Sequence, residues 1–170
     1  APAHVHVGFS HPPHWLQETD EAGRQVAAVV CELLTDVGLP TNHSERLVDY
    51  VWKKTILNAA LGPVCAVTGK TMAQAMRDPF LSDLVEKLIK EGVMVARANE
   101  IHLGWDYYRY AVKYLKDAGD HKPSMLVDIE SGRMTEAEFI NGRIAVYADR
   151  AGMEAPYNIM MRALVKSLES

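Results

Sequence analysis

The sequence lacks the long apolar runs and the basic clusters that mark two large classes of protein. Its apolar stretches, such as residues 26–31, are far shorter than the roughly 20 residues of a membrane-spanning helix. Its 18 Lys and Arg stand against 22 Asp and Glu, a net charge of −4, and no basic block offers a footprint for nucleic-acid phosphates. We therefore expect a soluble protein that has neither a membrane nor a nucleic acid as its partner.

Cysteine is scarce as well. Cys31 and Cys65 lie in apolar stretches without CxxC spacing, which favours buried thiols in a reducing compartment and predicts a cytoplasmic protein. The 170 residues, 48% of them hydrophobic, suit one ordinary globular domain. Because the sequence starts at Ala1 and shows no signal segment, we expect it to be part of a longer protein.

The glycines form no nucleotide-binding motif. No two of the 11 glycines are closer than seven positions, which excludes a GxGxxG turn and a phosphate-binding loop from this sequence. No serine stands in a GxSxG frame either. If a nucleotide is bound, we expect its phosphate site to lie elsewhere.

One strand is predicted, at residues 3–9, where polar and apolar side chains alternate. A lone strand makes no sheet, so it either pairs with another chain or belongs to a sheet that lies upstream. From there on a helical period predicts an all-α domain. We accordingly separate residues 1–16 from a helical domain, residues 17–170.

Capping and breaking signals place the helices. The first is capped by Thr19 or Asp20, and the second ends at Gly62-Pro63. The longest is expected to be central, and Thr135 and Glu138 form a predicted capping box. The predicted helices lie at about residues 20–38, 44–62, 71–77, 79–104, 106–115, 123–132, 135–152 and from 156 onward.

Histidines near the start have a spacing that metal sites also use. His4 and His6 share a strand face, and His11 and His14 flank a Pro-Pro turn. No Asp, Glu or Cys nearby would complete a ligand shell. We expect solvated histidines and no metal.

Lys54 and Asn58 form the first candidate site. They are one helical turn apart, so their side chains project from the same face inside an otherwise apolar run. A lysine there either covers the core with its stem or acts as a general acid toward an oxygen that becomes anionic. The spacing alone leaves both interpretations open.

Ser124 and Glu136 form the second candidate site. Both fall at predicted helix starts, where free N–H groups favour anions such as a substrate carboxylate. Helix capping alone would explain both residue types.

These two stretches resemble the C-terminal domain of the ketopantoate reductases, the NADPH-dependent 2-dehydropantoate 2-reductase family. The family's W-x-K-x-x-x-N pattern occurs as Trp52, Lys54 and Asn58. The resemblance runs from about residue 15 onward and implies a helical fold similar to that of ketopantoate reductase and 6-phosphogluconate dehydrogenase. It also implies that residues 1–16 are a remnant of the last part of a dinucleotide-binding domain. The family's S-M-L-x-D-I-x-x-x-R-x-T-E-x-x-x-I-N-G pattern occurs as Ser124, Met125, Leu126, Asp128, Ile129, Arg133, Thr135, Glu136, Ile140, Asn141 and Gly142.

The resemblance also implies roles for the site residues. Lys54 would be the general acid that protonates the C2 carbonyl oxygen, and Glu136 would orient Lys54 or a substrate hydroxyl. Ser124 would hold the substrate carboxylate, and Asn58 would position the substrate. The implied reaction is NADPH-dependent reduction of the 2-oxo acid ketopantoate to pantoate, for pantothenate and coenzyme A synthesis. NADPH would be held mostly by an N-terminal domain outside this chain, which alone would be nearly inactive, and the implied assembly is a homodimer.

Three departures from the family pattern leave the substrate open. Family members can carry further substrate-binding asparagines where this chain has Gly62, the run 68–72 and His121. The general acid and the carboxylate site are retained, whereas recognition of the substrate's distal hydroxyl is left open. A related hydroxyacid dehydrogenase with another 2-oxo acid, and a helical interaction module without catalysis, are therefore the alternatives.

Overall fold

A computed structural model describes residues 13–169 of the chain. The strand predicted at residues 3–9, and with it His4, His6 and His11, lies outside the described residues. The chain is divided into two compact units, Ala1–Tyr50 and Val51–Ser170.

The first unit contains a β-α-β arrangement that the sequence analysis did not predict. Strand β1 (His14–Leu16) and strand β2 (Thr41–His43) are parallel, and helix α1 (Gly23–Asp36) connects them. The expectation of helices alone after residue 9 is therefore wrong here. Three residues are too few to show the alternation of a strand, so the pairing, which only the folded chain reveals, defines these two strands.

Helix α1 begins three residues later than predicted. The carboxylate of Asp20 accepts a hydrogen bond from the Gly23 amide at 2.8 Å, so Asp20 does stabilise the start of the helix. Gly38, at φ +87°, lies just beyond its end, in a conformation that favours glycine. The helix and the residue that follows it expose an apolar stripe at a helical spacing: Val26, Val29, Leu33 and Val37.

The second unit is built from helices, which confirms the predicted all-α class for this part of the chain. Most of helix α2 belongs to it, and its described residues contain no strand. The helices are α2 (Leu47–Thr68), α3 (Met72–Arg77), α4 (Pro79–Ala98), α5 (Tyr107–Lys116), α6 (Ser124–Glu130), α7 (Ala137–Arg150) and α8 (Pro156–Lys166).

Helix α2 does not end at Gly62-Pro63 as predicted but continues to Thr68. Proline has no N–H, so Pro63 removes the donor that the carbonyl of Ala59 would use in a regular helix. The side-chain amide of Asn141 donates to that carbonyl instead, at 2.9 Å. With 22 residues α2, not α4, is the longest helix.

Helix α4 is central in the second unit, as predicted, and it packs against α3, α5, α7 and α8. The carboxylate of Asp78 caps it by accepting hydrogen bonds from the Phe80 and Leu81 amides. The helix ends at Ala98, six residues before the predicted Gly104, because Asn99 leaves the helical conformation. Its buried face consists of Val85, Leu88, Ile89, Gly92, Val93, Val95 and Ala96, with the carboxylate of Glu91 among them.

The predicted capping box of Thr135 and Glu138 is absent. The Thr135 hydroxyl does accept a hydrogen bond from the Ala137 amide at 3.2 Å, near the start of α7. Glu138 instead forms an ion pair with Arg162, at 3.5 Å. Arg162 of α8 thus pairs with the Glu138 carboxylate, which the sequence pattern had assigned to the start of α7.

The two cysteines differ in environment. Cys65 lies in α2 and is fully buried, and burial raises the pKa of its thiol to about 12. Cys31, in α1, is partly exposed. The expectation of buried thiols is thus met at Cys65 and only in part at Cys31. None of the described helices is long and apolar enough to cross a membrane.

Close packing of α4 against α2 and α7 predicts that Gly92→Ala is destabilising. A Cβ at position 92 would lie 3.1 Å from Cγ1 of the fully buried Ile56 and 3.7 Å from Ile144. We expect the free energy of unfolding to fall by about 1–2 kcal/mol in denaturant titration, because overpacking outweighs the helix propensity of alanine. Gly62→Ala is the matched control. The atoms nearest to a Cβ there belong to Met125, at 3.7–3.8 Å, which is ordinary contact, so this variant should not lose stability. Equal losses in both variants would contradict the packing argument.

Candidate functional site

Lys54 and Asn58 lie one turn apart on α2, and both are exposed. Neighbouring residues on the other side of the helix, Trp52 and Ile56, are buried in the core. Neither Lys54 nor Asn58 has a side-chain hydrogen bond or ion pair with any residue that the structure describes. The ammonium and the carboxamide are therefore both available to a ligand.

Ser124 and Glu136 are also exposed, and each lies at the start of a helix, as predicted. Ser124 is the first residue of α6, and Glu136 immediately precedes α7. Within the described part of the chain their side chains cap neither helix and make no other polar contact. Neither side chain therefore caps its helix, although capping was the alternative interpretation of both residues.

A small buried cluster joins the elements that carry the candidate residues. Met125, which follows Ser124, and Ala137, which follows Glu136, pack together with Ala66 of α2 and Val165 of α8. Met125 also lies over Gly62, one turn beyond Asn58. The starts of α6 and α7 are thus fixed against the same helix that presents Lys54 and Asn58.

The turn before Glu136 is held by a residue near the end of the chain. Both the amide and the hydroxyl of Thr135 donate to a carboxylate oxygen of Glu169, at 3.0 and 2.6 Å. The Lys166 ammonium donates to the other oxygen of the same carboxylate. Hydrogen bonds from Lys166 and from Thr135 hold the pKa of Glu169 below its ordinary value. Sequence reasoning missed Glu169, since no local pattern links it to a residue 34 positions away.

Two further residues that the sequence analysis did not single out contact the site-bearing turn of α2 from behind. The hydroxyl of Tyr107 donates to the carbonyl of Lys53, and the amide of Asn141 donates to that of Ala59. Pro63 inside a helical pattern was the available signal, because it leaves the carbonyl of Ala59 without its helical donor and so predicts a donor from elsewhere in the chain. It does not indicate that Asn141 is that donor. Nothing in the sequence indicates Tyr107.

Two of the departures from the family pattern have a clear structural context. Gly62 is buried beneath Met125, and a Cβ at this position would lie 3.7–3.8 Å from atoms of that methionine. His121 is exposed in the loop before α6, and its carbonyl accepts a hydrogen bond from the Met72 amide at 3.0 Å. The chain thus provides no asparagine at position 62 or position 121 to recognise a substrate hydroxyl.

No described group of three or more His, Cys, Asp or Glu side chains has the geometry to hold a metal ion. Nor does the sequence offer a glycine-rich loop for the phosphates of a dinucleotide. The exposed donors at the site are an ammonium, a carboxamide and a hydroxyl, beside one carboxylate. Such a set suits a small anionic organic molecule that undergoes proton transfer.

Comparison with known proteins identifies the family of this chain. Residues 46–169 match the family model described as ketopantoate reductase PanE/ApbA C terminal. The chain therefore belongs to the C-terminal domain family of the ketopantoate reductases. A 2-dehydropantoate 2-reductase from Pyrococcus horikoshii is 33% identical over 141 residues, which cover 83% of this chain and 47% of that protein. The chain thus spans about half the length of this oxidoreductase.

Solved structures show the same fold. A D-mandelate dehydrogenase with NADH and anilino(oxo)acetate matches at a TM-score of 0.81 and 23% identity, over 91% of this chain and 65% of that one. A dimeric ketopantoate reductase from Staphylococcus aureus matches at a TM-score of 0.79 and 20% identity, over 93% of this chain and 54% of that one.

The hydrogen bonds from Thr135 to the Glu169 carboxylate predict that this carboxylate makes a pH-dependent contribution to the free energy of unfolding. Because the folded state lowers the pKa of Glu169 from 4.5, its carboxylate stabilises the fold above that pH, and the contribution is lost as the pH falls through the folded-state value. We expect Glu169→Gln to lower the melting temperature by about 2–4 °C at pH 7 and by less at pH 3. Glu154→Gln, at an exposed glutamate, is the control. A loss that stays the same at both pH values would contradict the assignment to the charged carboxylate.

Proposed function

We propose that this chain is the catalytic and substrate-binding part of an NADPH-dependent 2-dehydropantoate 2-reductase-like enzyme, which reduces ketopantoate to pantoate in pantothenate and coenzyme A synthesis. The observation that carries the proposal is the pair Lys54 and Asn58. Both are exposed and without side-chain partners among the described residues, on a helix inside the family match. Ser124 and Glu136 support it from the two neighbouring helices.

The proposed roles follow from the chemistry of each side chain. Reduction of a ketone places negative charge on its oxygen, and the ammonium of Lys54 can neutralise that charge by donating a proton. The hydroxyl of Ser124 can donate to the substrate carboxylate, and the carboxamide of Asn58 can both donate and accept. Glu136 can orient the ammonium of Lys54 or accept from a substrate hydroxyl.

The cofactor that would supply the hydride is NADPH, and we assign none of its binding residues within this chain. The β-α-β arrangement of the first unit supports this proposal, because we infer that it forms part of a larger nucleotide-binding domain. Parallel strands joined by a helix are typical of sheets covered on both faces, and a pair of three-residue strands does not stand alone. The exposed stripe of α1, which includes Val29 at 53% and Leu33 at 59% exposure, is suited to packing on such a sheet.

We further propose a cytoplasmic homodimer. The fold is that of the dimeric Staphylococcus aureus enzyme. Apolar side chains that a second copy could cover are exposed on α5 and α8, among them Tyr110, Met160 and Leu164. Sedimentation of the complete protein at increasing concentration tests the dimer directly.

Lys54→Ala in the complete protein tests the general acid. We expect kcat for NADPH-dependent reduction of ketopantoate to fall by about 10²–10⁴-fold, because the developing oxyanion loses its proton donor. Lys90→Ala is the matched control. Lys90 is likewise an exposed lysine without a side-chain partner among the described residues, but it lies on α4. Near-normal turnover of the Lys54 variant would remove the assignment.

A second candidate substrate is another 2-oxo acid. Burial of Gly62 beneath Met125 favours this alternative, because the chain lacks a polar side chain there for the distal hydroxyl. The D-mandelate dehydrogenase shows that the fold occurs with an anilino(oxo)acetate ligand.

A panel of 2-oxo acids, assayed by NADPH oxidation with the complete protein, separates the candidates. Highest kcat/KM with ketopantoate supports the first candidate, and highest kcat/KM with an aromatic or unhydroxylated 2-oxo acid supports the second. Absence of turnover with every member would leave the helical interaction module as the better interpretation.

A further inference from the structure

Two buried side chains hold the main chain of α2 at either end of the turn that carries Lys54 and Asn58. The hydroxyl of Tyr107 donates to the carbonyl of Lys53, the residue just before Lys54. The amide of Asn141 donates at 2.9 Å to the carbonyl of Ala59, the residue just after Asn58. The two contacts thus bracket the candidate site.

The Asn141 contact replaces a hydrogen bond that the helix itself cannot make. In a regular α-helix the carbonyl of Ala59 accepts from the amide of residue 63, but that residue is proline. An unpaired carbonyl at a fully buried residue costs free energy, so the donor from α7 is needed to continue the helix.

The orientation of the Asn141 side chain is fixed by its neighbours. Its amide nitrogen also donates to the carboxamide oxygen of Asn158, at 2.9 Å, which uses both of its hydrogens. Asn158 in turn donates from its side chain and its main chain to the buried carboxylate of Glu91, at 2.7 and 2.8 Å. A flipped Asn141 would point its oxygen at two acceptors. The Asn141 oxygen itself is a buried atom without a partner among the described residues.

The Tyr107 contact is equally constrained. Its ring is buried in the core, and burial raises the pKa of its hydroxyl, which therefore stays a donor at neutral pH. Nearby, the ring of Trp52 meets that of Tyr147 edge to face at 5.1 Å. The side of α2 that faces away from Lys54 is thus held by α5 and α7.

We propose that Tyr107 and Asn141 are positioning residues for the site, and this inference rests on the proposed function. Lys54 and Asn58 have no side-chain partners among the described residues, so the main chain of α2 sets where they lie. The two contacts fix that main chain, one at each end of the turn. Loss of either one would shift or loosen the ammonium and the carboxamide, and a shift of about 1 Å can lower turnover by about 10²-fold.

Tyr107→Phe tests the first contact, because it removes one hydroxyl and keeps the ring. The matched control is Tyr108→Phe, on the same helix, where the lost hydroxyl donates to Glu86 instead of α2. At temperatures well below both unfolding transitions, we expect Tyr107→Phe to lower kcat by about tenfold and Tyr108→Phe by less than about twofold. Equal effects on kcat would overturn the inference.

A double-mutant cycle of Asn141→Ala with Pro63→Ala tests the second contact. Alanine at position 63 restores an amide that can donate to the Ala59 carbonyl, so the loss of Asn141 should matter less in that background. We expect Asn141→Ala to lower kcat by about tenfold in the Pro63 protein and by about threefold or less in the Pro63→Ala protein. A role of Asn141 confined to its hydrogen bond with Asn158 gives no such rescue, and an equal loss in both backgrounds would overturn the inference.

Amide hydrogen exchange of residues 52–61 in the complete protein provides a measurement that needs no turnover. We expect exchange there to rise by about tenfold in Tyr107→Phe and in Asn141→Ala but not in Tyr108→Phe. Unchanged exchange overturns the inference even if the enzyme is active. If the wild-type protein reduces no 2-oxo acid, the proposed function fails, and the exchange pattern alone decides whether the two contacts fix this turn.

Discussion

The hydrogen bond from Asn141 to the carbonyl of Ala59 lets helix α2 continue through Pro63. If α2 ended there, Ala66 would lie outside the helix, and the cluster that it forms with Met125, Ala137 and Val165 would lose one wall. That cluster fixes the residues next to Ser124 and Glu136. A single side-chain amide therefore supports both parts of the candidate site, the exposed residues of α2 and the starts of α6 and α7.

The same amide belongs to a polar network inside an otherwise apolar unit. A carboxylate from α4, Glu91, accepts hydrogen bonds from Asn158 and from the Tyr157 amide of α8, and Asn158 accepts from Asn141 of α7. Buried polar groups are costly when unpaired, so alternative packings of these helices that break the network are disfavoured. The network thus specifies how four helices meet, whereas the apolar side chains around it would tolerate several arrangements.

Most of the helices could be predicted from the sequence because their signals are local. Asp78-Pro79 marks the start of α4, and Thr71 with Gln74 forms a capping box at the start of α3. The predicted end of α2 and the predicted cap of α7 were wrong, because in each case a residue distant in the sequence determines the structure. Asn141 carries α2 past Pro63, and Arg162 takes Glu138 away from the start of α7. The two short strands are defined only by pairing with each other.

In the candidate site, too, the features that depend on local spacing could be predicted and those that depend on distant contacts could not. Lys54 and Asn58 share a face because of helical spacing, so their exposure on one side of α2 could be predicted. The positions of Ser124 and Glu136 at helix starts were predictable too, but the buried cluster that fixes those starts against α2 was not. Tyr107 and Glu169 could not be found at all, since each contacts a residue more than 30 positions away.

The contrast between the two cysteines gives this protein a built-in reporter of its own unfolding. A thiol whose pKa is about 12 carries almost no thiolate at neutral pH, and Cys65 is also out of reach of reagents in the folded state. Cys31, partly exposed on α1, is accessible without unfolding. Alkylation of the native chain should thus modify one thiol quickly, and the second only at the rate at which the middle of α2 opens to solvent.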